Sequence, residues 1–226
     1  MQNSENEPTR SLFDHPEAKS SLKLLIGGLE DESDRGAVLV ATSEVDNHMR
    51  RLFEHIGRAS MDKNDLARLL ENAGPLSSLS SRADVALLMR IISKQLFHAI
   101  RHLRKLRNSV AHSPRAFSLA DHQAHIRMIF EVGDGVPGWV KAGTINYLDV
   151  NFIASALKIP DPSNPDIPAF KDRQAFLDYV ARKPELVSPL EAKRPRVELA
   201  LGTGLLCAMI VEFRERAIRR LDSSAV

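Results

Sequence analysis

The residues best suited to chemistry lie in one short stretch, 107–112. It holds Arg107, Asn108 and, four residues further on, His112. A histidine near neutral pKa can move protons to or from a ribose 2′-hydroxyl. An arginine can hold a phosphate and stabilise its developing charge, and an asparagine can orient either group. These types suit RNA cleavage without a metal ion, so Arg107, Asn108 and His112 are candidate catalytic residues.

The spacing of the three residues restricts how they can act together. Asn108 and His112 are four apart and share a face of a helix, whereas Arg107 is five from His112 and points away from it. Arg107 and His112 therefore converge on one ligand only if the helix end loosens near Ser113, or if two copies meet across a symmetric interface.

A purely structural interpretation accounts for the same residues. A histidine in the final turn of a helix complements the helix dipole and can bond the last carbonyl groups. Arg107 can pair with an acid on an earlier helix, such as Glu44 or Asp46. Residue types alone favour this structural interpretation over catalysis, because short motif matches are often accidental.

Positive charge clusters just before the motif, at Arg101, Arg104 and Lys105. Such side chains attract phosphate groups without regard to sequence, so these three are candidate nucleic-acid-binding residues. The net charge of the chain is only +2, so a basic surface must be local. The nearest candidate for a helix-turn-helix, residues 92–94, is followed by a helix with an apolar face suited to the core. Direct DNA binding is therefore not favoured.

The other chemically active residues predict neither a metal site nor a cofactor. The pairs His98/His102 and His122/His125 each share a helix face, but no third ligand stands at a suitable spacing. Cys207 is the single cysteine, which excludes a disulfide and a cysteine-based zinc site within one chain. Glycine-rich nucleotide-binding motifs, the nucleophile elbow of hydrolases and the HExxH motif are all absent from the sequence.

Helices must position these residues, and the sequence predicts an all-α fold. Apolar residues recur at helical spacing, and no sustained alternating strand pattern occurs. Ser33, Ser78 or Ser80, Ser93 and Ser118 are candidate N-caps, and the Ser113-Pro114 step ends the helix that carries the motif. The predicted helices cover residues 16–30, 34–58, 62–72, 80–92, 94–112, 119–132, 171–182 and 195–221.

The remaining segments complete the predicted organisation. Residues 1–15 are expected to form a flexible tail, and 16–226 a single helical domain. Residues 133–170 are rich in Gly, Pro, Asp and Asn and are expected to be an irregular insertion, in which 147–159 has helical character. The polar N-terminus lacks a secretory signal, and no apolar run is long enough to span a membrane. A cytoplasmic protein is expected.

An ordered set of motifs resembles the mannitol operon repressor family. The motifs are GPLSSLSSR at 74–82, IISK at 91–94, IR at 100–101 and RNSVAHS at 107–113, preceded by DRGA at 34–37 and EVD at 44–46. The resemblance covers residues 34–117 well and the final helix loosely, and segment 133–170 has no counterpart in it. The family is similar to the wider HEPN superfamily of helical, often dimeric proteins.

Two functions follow from this resemblance. The first is a dimeric cytoplasmic regulator of transcription that acts mainly through protein–protein contacts. The second is an HEPN-type metal-independent endoribonuclease or toxin, because nuclease members of that superfamily carry an Arg-x4-6-His motif. In that case Arg107 holds phosphate, Asn108 orients it and His112 is the acid/base.

Overall fold

A computed structural model describes residues 11–28, 32–58, 60–71, 73–112 and 117–224. The described residues are mainly helical, which confirms the predicted all-α class. The helices are α1 (Pro16–Gly28), α2 (Asp34–Gly57), α3 (Lys63–Leu70), α4 (Leu79–Leu88), α5 (Lys94–His112), α6 (Gln123–Ile129), α7 (Val136–Ala156), α8 (Arg173–Ala181) and α9 (Ser188–Ser224). Short 3-10 turns lie at Leu12–Asp14, Leu119–His122 and Pro184–Val187.

The core is built around α9, which contacts α1, α2, α5, α6 and α7. Its buried face is continuous through Leu199, Leu206 and Ile210 and includes Cys207, which is fully buried. Two glycines allow close packing there, because a methyl group at Gly204 would lie 2.7 Å from Cδ1 of Leu22 on α1. This close approach of α1 accounts for a glycine at position 204 inside a helix.

Serine caps start several helices as predicted. The Gly36 amide donates to Ser33 Oγ (3.1 Å), the Ser81 amide to Ser78 Oγ (3.1 Å) and the Leu96 amide to Ser93 Oγ (3.2 Å). Each bond satisfies an amide that has no partner within its helix. These caps fix the first turns of α2, α4 and α5.

Segment 133–170 is more regular than its composition indicates. Helix α7 occupies Val136–Ala156, and a small antiparallel hairpin follows, formed by β1 (Pro160–Asp161) and β2 (Asn164–Pro168). Pro137 lies in the first turn of α7, where proline is tolerated. Gly143 faces α9, and a methyl group there would lie 3.3 Å from Leu201. The prediction of an irregular insertion is therefore wrong for residues 136–146, whereas the helical character expected from residue 147 is confirmed as far as Ala156.

Two other boundaries differ from the sequence-based expectation. The predicted tail of residues 1–15 lies largely outside the described residues, but its last part forms the 3-10 turn Leu12–Asp14, capped by Ser11. Helix α9 begins at Ser188 and contains Pro195 in its interior, whereas a start at Pro195 is predicted. Among the described helices, none is both long and apolar enough to cross a membrane.

Candidate functional site

Helix α5 carries the predicted site residues on a strongly amphipathic frame. Its buried face, formed by Leu96, Ile100, Leu103, Leu106 and Val110, packs in the core and contacts α2, α4, α6 and α9. The helix has five Lys or Arg residues and three His residues, and no Asp or Glu. Every Lys, Arg, Asp or Glu side chain on this helix is therefore a basic one, although the net charge of the whole chain is only +2.

An open groove of about 510 Å³ runs between α2, the start of α4 and α5. Arg104, Arg107 and Asn108 line it from α5, opposite Leu39 and Asp46 of α2. We call this the basic groove. Arg107 and Asn108 are exposed and Arg104 is half-buried. The fold therefore brings three of the six predicted site residues to one concave surface.

The other three predicted residues lie elsewhere on α5. Arg101, Lys105 and His112 are exposed, and they are not among the residues that line the basic groove. Arg107 and His112 are both helical, and five residues place their side chains about 140° apart around the axis. One copy of α5 therefore does not direct both at a common point. The proposed loosening near Ser113 falls outside the described residues.

The two acids that were candidate partners of Arg107 have other partners. Asp46 forms an ion pair with Arg82 of α4, and Glu44 accepts a hydrogen bond from Ser21. Within the described residues Arg107 makes no ion pair. Its guanidinium thus stands in the basic groove available to a ligand.

Arg82 holds Asp46, one of the residues that line the basic groove, and its role was missed from the sequence. It is 2% exposed, and besides Asp46 it donates to the carbonyl oxygen of Leu76 at 2.6 Å. A buried arginine is costly unless it is paired. Its spacing in the sequence could have indicated burial, because Arg82 lies one helical turn from Leu79 and from Ala86, which are on the buried face of α4.

The first turn of α2 fixes the end of α5, again through residues that sequence reasoning did not select. Arg35 donates to the Val110 carbonyl oxygen (3.1 Å). Asp34 accepts hydrogen bonds from the Leu119 amide (2.8 Å) and from Arg196 of α9 (2.6 Å). Asp34 and Arg35 therefore hold the chain on both sides of residues 113–116.

A buried polar cluster joins α1 to α2. The hydroxyl of Ser21 donates to Glu44 (2.6 Å) and lies 2.7 Å from Nε2 of His48. Because that hydroxyl has one proton, Nε2 must donate to it, which leaves the buried Nδ1 of His48 without a partner among the described residues. Burial lowers the pKa of His48, against the opposing effect of Glu44. Ser21 and His48 are 4% and 1% exposed, so they cannot meet a substrate.

Histidines also meet between α5 and α6. Nδ1 of His102 lies 3.4 Å from Nδ1 of His125, and the His122 ring stacks on Phe117. Burial and the nearby Lys105 lower the pKa of His102. In the part of the chain that the structure describes, no three metal-ligating side chains are grouped closely enough to hold a metal ion.

Comparisons with known proteins give a match at the level of structure. Protein-family models and curated protein sequences yield none. The chain is similar to a chain in the X-ray structure of the MtlR-HPr complex from Escherichia coli, with 18% identity and a TM-score of 0.52. The match covers 87% of this chain and 99% of that chain. This likeness shows that the protein has an MtlR-like helical fold.

Proposed function

We propose that this protein is a regulator of transcription that acts by binding another protein. Two observations support this proposal. The ordered motifs at 34–117 resemble the mannitol operon repressors. The fold resembles that of MtlR, whose structure was determined in a complex with HPr. A cytoplasmic location accompanies this role.

The basic groove is the proposed contact surface. Arg104 and Arg107 give it positive charge, and the nearby Asp46 is already paired with Arg82. Leu39 is 48% exposed at the edge of the groove and adds an apolar contact. Exposed arginine beside an apolar side chain is typical of protein interfaces. The single observation that carries the proposal is the unpaired, exposed Arg107 in an open groove of a fold already seen with a protein partner.

The test is calorimetric titration of the purified chain with HPr. We expect binding, and we expect Arg107→Glu to weaken it at least about tenfold, because reversing a charge opposes an acidic partner surface. Arg173→Glu, at an exposed position on α8, is the matched control and should bind as the wild type does. Absence of HPr binding by the folded wild-type chain would contradict this proposal for HPr. Deletion of the gene should also change transcription of sugar-alcohol genes.

The alternative function is an HEPN-type metal-independent endoribonuclease. The observation that favours it is the exposure of Arg107, Asn108 and His112, which leaves all three side chains accessible to RNA. Arg101, Arg104 and Lys105 would attract its phosphates. Because Arg107 and His112 point in different directions, this alternative requires a homodimer in which the two copies complete each other's site.

The nuclease alternative is tested by RNA cleavage with EDTA present. Cleavage by the wild type that is lost in His112→Ala would establish it. A folded wild-type chain that leaves RNA intact would leave His112 as a structural helix end and favour the protein-binding proposal. Analytical ultracentrifugation of the same samples tests the required dimer.

A further inference from the structure

The basic groove contains two arginines that have no acidic partner. Arg104 and Arg107 line it from one face of α5, about one helical turn apart. In the part of the chain that the structure describes, neither guanidinium makes an ion pair or a hydrogen bond. Arg50 on α2 and Arg82 on α4, by contrast, each hold an acid. The groove therefore offers a ligand two guanidinium groups whose charge is not neutralised by the protein.

The wall of the basic groove that α2 forms has a different chemistry. Asp46 lines it with a side chain that is 40% exposed. Arg82 donates to Oδ1 of Asp46, whereas Oδ2 accepts no hydrogen bond from a described residue. Ser43, one turn earlier, also lines the groove, and its exposed hydroxyl has no partner among the same residues. A carboxylate oxygen accepts hydrogen bonds and a serine hydroxyl both donates and accepts them, so this wall suits the hydroxyl groups of a ligand.

The size and the polarity of the basic groove suit a small polar molecule. Its volume of about 510 Å³ lies within the range of about 300–1,000 Å³ that is typical of small-molecule sites. Apart from Leu39 and Leu79, every residue that lines it has a polar side chain. The Asn108 amide adds donors on the same wall as the two arginines. A ligand that fills this groove must therefore be polar along most of its length.

The two walls together select the chemical class of the ligand. A phosphate monoester presents three oxygens and can accept hydrogen bonds from both arginines, whereas one bidentate arginine already occupies both oxygens of a carboxylate. A nucleic acid carries a phosphate at every nucleotide, and the Asp46 carboxylate would repel the next phosphate along the strand. Asp46 can instead accept hydrogen bonds from neutral hydroxyl groups. One phosphate at one end and a hydroxylated body at the other therefore match the groove.

We propose that the basic groove binds a small phosphate monoester whose body carries several hydroxyl groups. Arg104, Arg107 and Asn108 hold the phosphate, and Ser43 and Asp46 bind the hydroxyl groups. A free sugar phosphate and a mononucleotide both have this chemistry. The protein partner proposed above also uses Arg107, so the ligand and the partner exclude each other from the groove. This regulatory consequence rests on the proposed function, whereas the binding of the ligand itself does not.

The experiment is calorimetric titration of the full chain with ribose 5-phosphate, glucose 6-phosphate and adenosine 5′-monophosphate. Ribose, glucose and inorganic phosphate are the controls, because each contains only one half of the proposed ligand. We expect at least one ester to bind about tenfold more tightly than its parent sugar and than inorganic phosphate. Tightest binding of the adenosine ester would identify a mononucleotide as the source of this chemistry. Esters that bind no more tightly than inorganic phosphate would overturn the inference.

Substitutions on the two walls should have separable effects. Arg107→Gln should weaken binding of the ester and of inorganic phosphate at least about tenfold. Ser43→Ala should weaken binding of the ester about threefold and leave that of inorganic phosphate unchanged. Both positions are exposed on helices and accept these residues, so the variants should melt as the wild type does. Arg127→Gln, at an exposed position on α6, is the matched control, and a loss of affinity equal to that of Arg107→Gln would overturn the inference.

Two further titrations separate this ligand from the larger occupants. A single-stranded RNA of ten nucleotides that binds at least about tenfold more tightly than the esters, and loses this binding in Arg107→Gln, would overturn the inference in favour of a nucleic acid. The ester titrations contain no HPr, and the HPr titration described above contains no ester, so either proposal can fail alone. A saturating ester should weaken HPr binding at least about fivefold, and an unchanged HPr affinity would overturn the shared use of the groove.

Discussion

The guanidinium of Arg35 donates a hydrogen bond to the main-chain carbonyl oxygen of Val110, across 75 residues of sequence. The acceptor is one of the last carbonyl groups of α5, which lack partners within the helix. Arg104, Arg107 and Asn108, which line the basic groove, lie on the turns just before this point, and His112 lies two residues after it. The geometry of α5 is thus set partly from the first turn of α2.

Replacing Arg35 with methionine should loosen the end of α5. The loss of one hydrogen bond to a charged donor corresponds to about 1–2 kcal/mol of unfolding free energy. Hydrogen exchange should show lower protection of amides 109–112 and unchanged protection at the start of α5. Arg58→Met, at the exposed other end of α2, is the control. Equal protection in both variants would show that Arg35 does not hold this helix end.

Asp46→Asn should destabilise the protein, because it leaves the buried Arg82 without a negative partner. We expect urea denaturation to show a loss of about 2 kcal/mol of unfolding free energy. This is less than for a fully buried pair, because the Asp46 side chain is 40% exposed. Asp84→Asn, at an exposed position on α4, should change stability little. The double variant Arg82→Met, Asp46→Asn should recover part of the loss. An Asp46→Asn variant as stable as Asp84→Asn would contradict this account of the pair.

Gly74→Ala and Gly27→Ala should have opposite effects. A methyl group at Gly74 would overlap the carbonyl oxygens of Arg68 and Leu69, which belong to the backbone and cannot move aside. We expect a loss of at least about 2 kcal/mol there. At Gly27, inside α1, nothing lies within 4 Å of the added methyl group, and a gain of about 0.5 kcal/mol is expected. Thermal unfolding of the two variants measures both effects. A Gly74→Ala variant as stable as the wild type would refute the steric explanation.

His48 should make stability fall as the pH is lowered. Burial lowers the pKa of His48 in the folded protein below its ordinary value near 6.5. Below that value the unfolded chain binds a proton that the folded chain does not, so unfolding becomes more favourable. The contribution of His48 to the free energy of unfolding is fully present above about pH 6.5. It is lost as the pH falls toward the pKa of His48 in the folded protein, by at most about 1.4 kcal/mol per pH unit.

The measurement compares the free energy of unfolding of wild type and His48→Gln between pH 7.5 and 5.5. The variant should lose less stability over this range than the wild type. His102→Gln is a useful comparison, because the pKa of His102 is also lowered but its side chain is only half-buried, so its effect should be smaller. If the stability of wild type and His48→Gln depends on pH in the same way, His48 does not cause the loss of stability at lower pH.

Sequence reasoning succeeded where a helix has a broad apolar face and a serine cap. Helices α2 and α5 begin just after Ser33 and Ser93, which cap them as predicted, because both signals are local. It is less informative for α4, where apolar residue type alone would place Leu88, the last residue of the helix, in the core. Leu88 is 82% exposed, while Ala83, Ala86 and the paired Arg82 are buried. Residue type alone does not distinguish an apolar residue of the core from one at an exposed helix end.

The candidate site was only partly predictable for a different reason. The basic residues of α5 are visible in the sequence, but the walls of their groove come from α2 and α4. The contacts that fix α5 join Arg35 to Val110 and Asp34 to Leu119, which are 75 and 85 residues apart. The first half of α7 was missed because proline and glycine usually end helices, and the packing of α9 against Gly143 explains the glycine there.

The central position of α9 also has a consequence for synthesis. The helices that α9 contacts, namely α1, α2, α5, α6 and α7, all leave the ribosome before it does. Until α9 follows, the apolar face of α1 and a large part of that of α2 lack the helix that packs on them, and these helices cannot complete a cooperative core. Nascent chains halted before residue 199 should therefore be bound by chaperones and cleaved by proteases. Protection from cleavage should arise in one late step, once the segment through Ile210 is available.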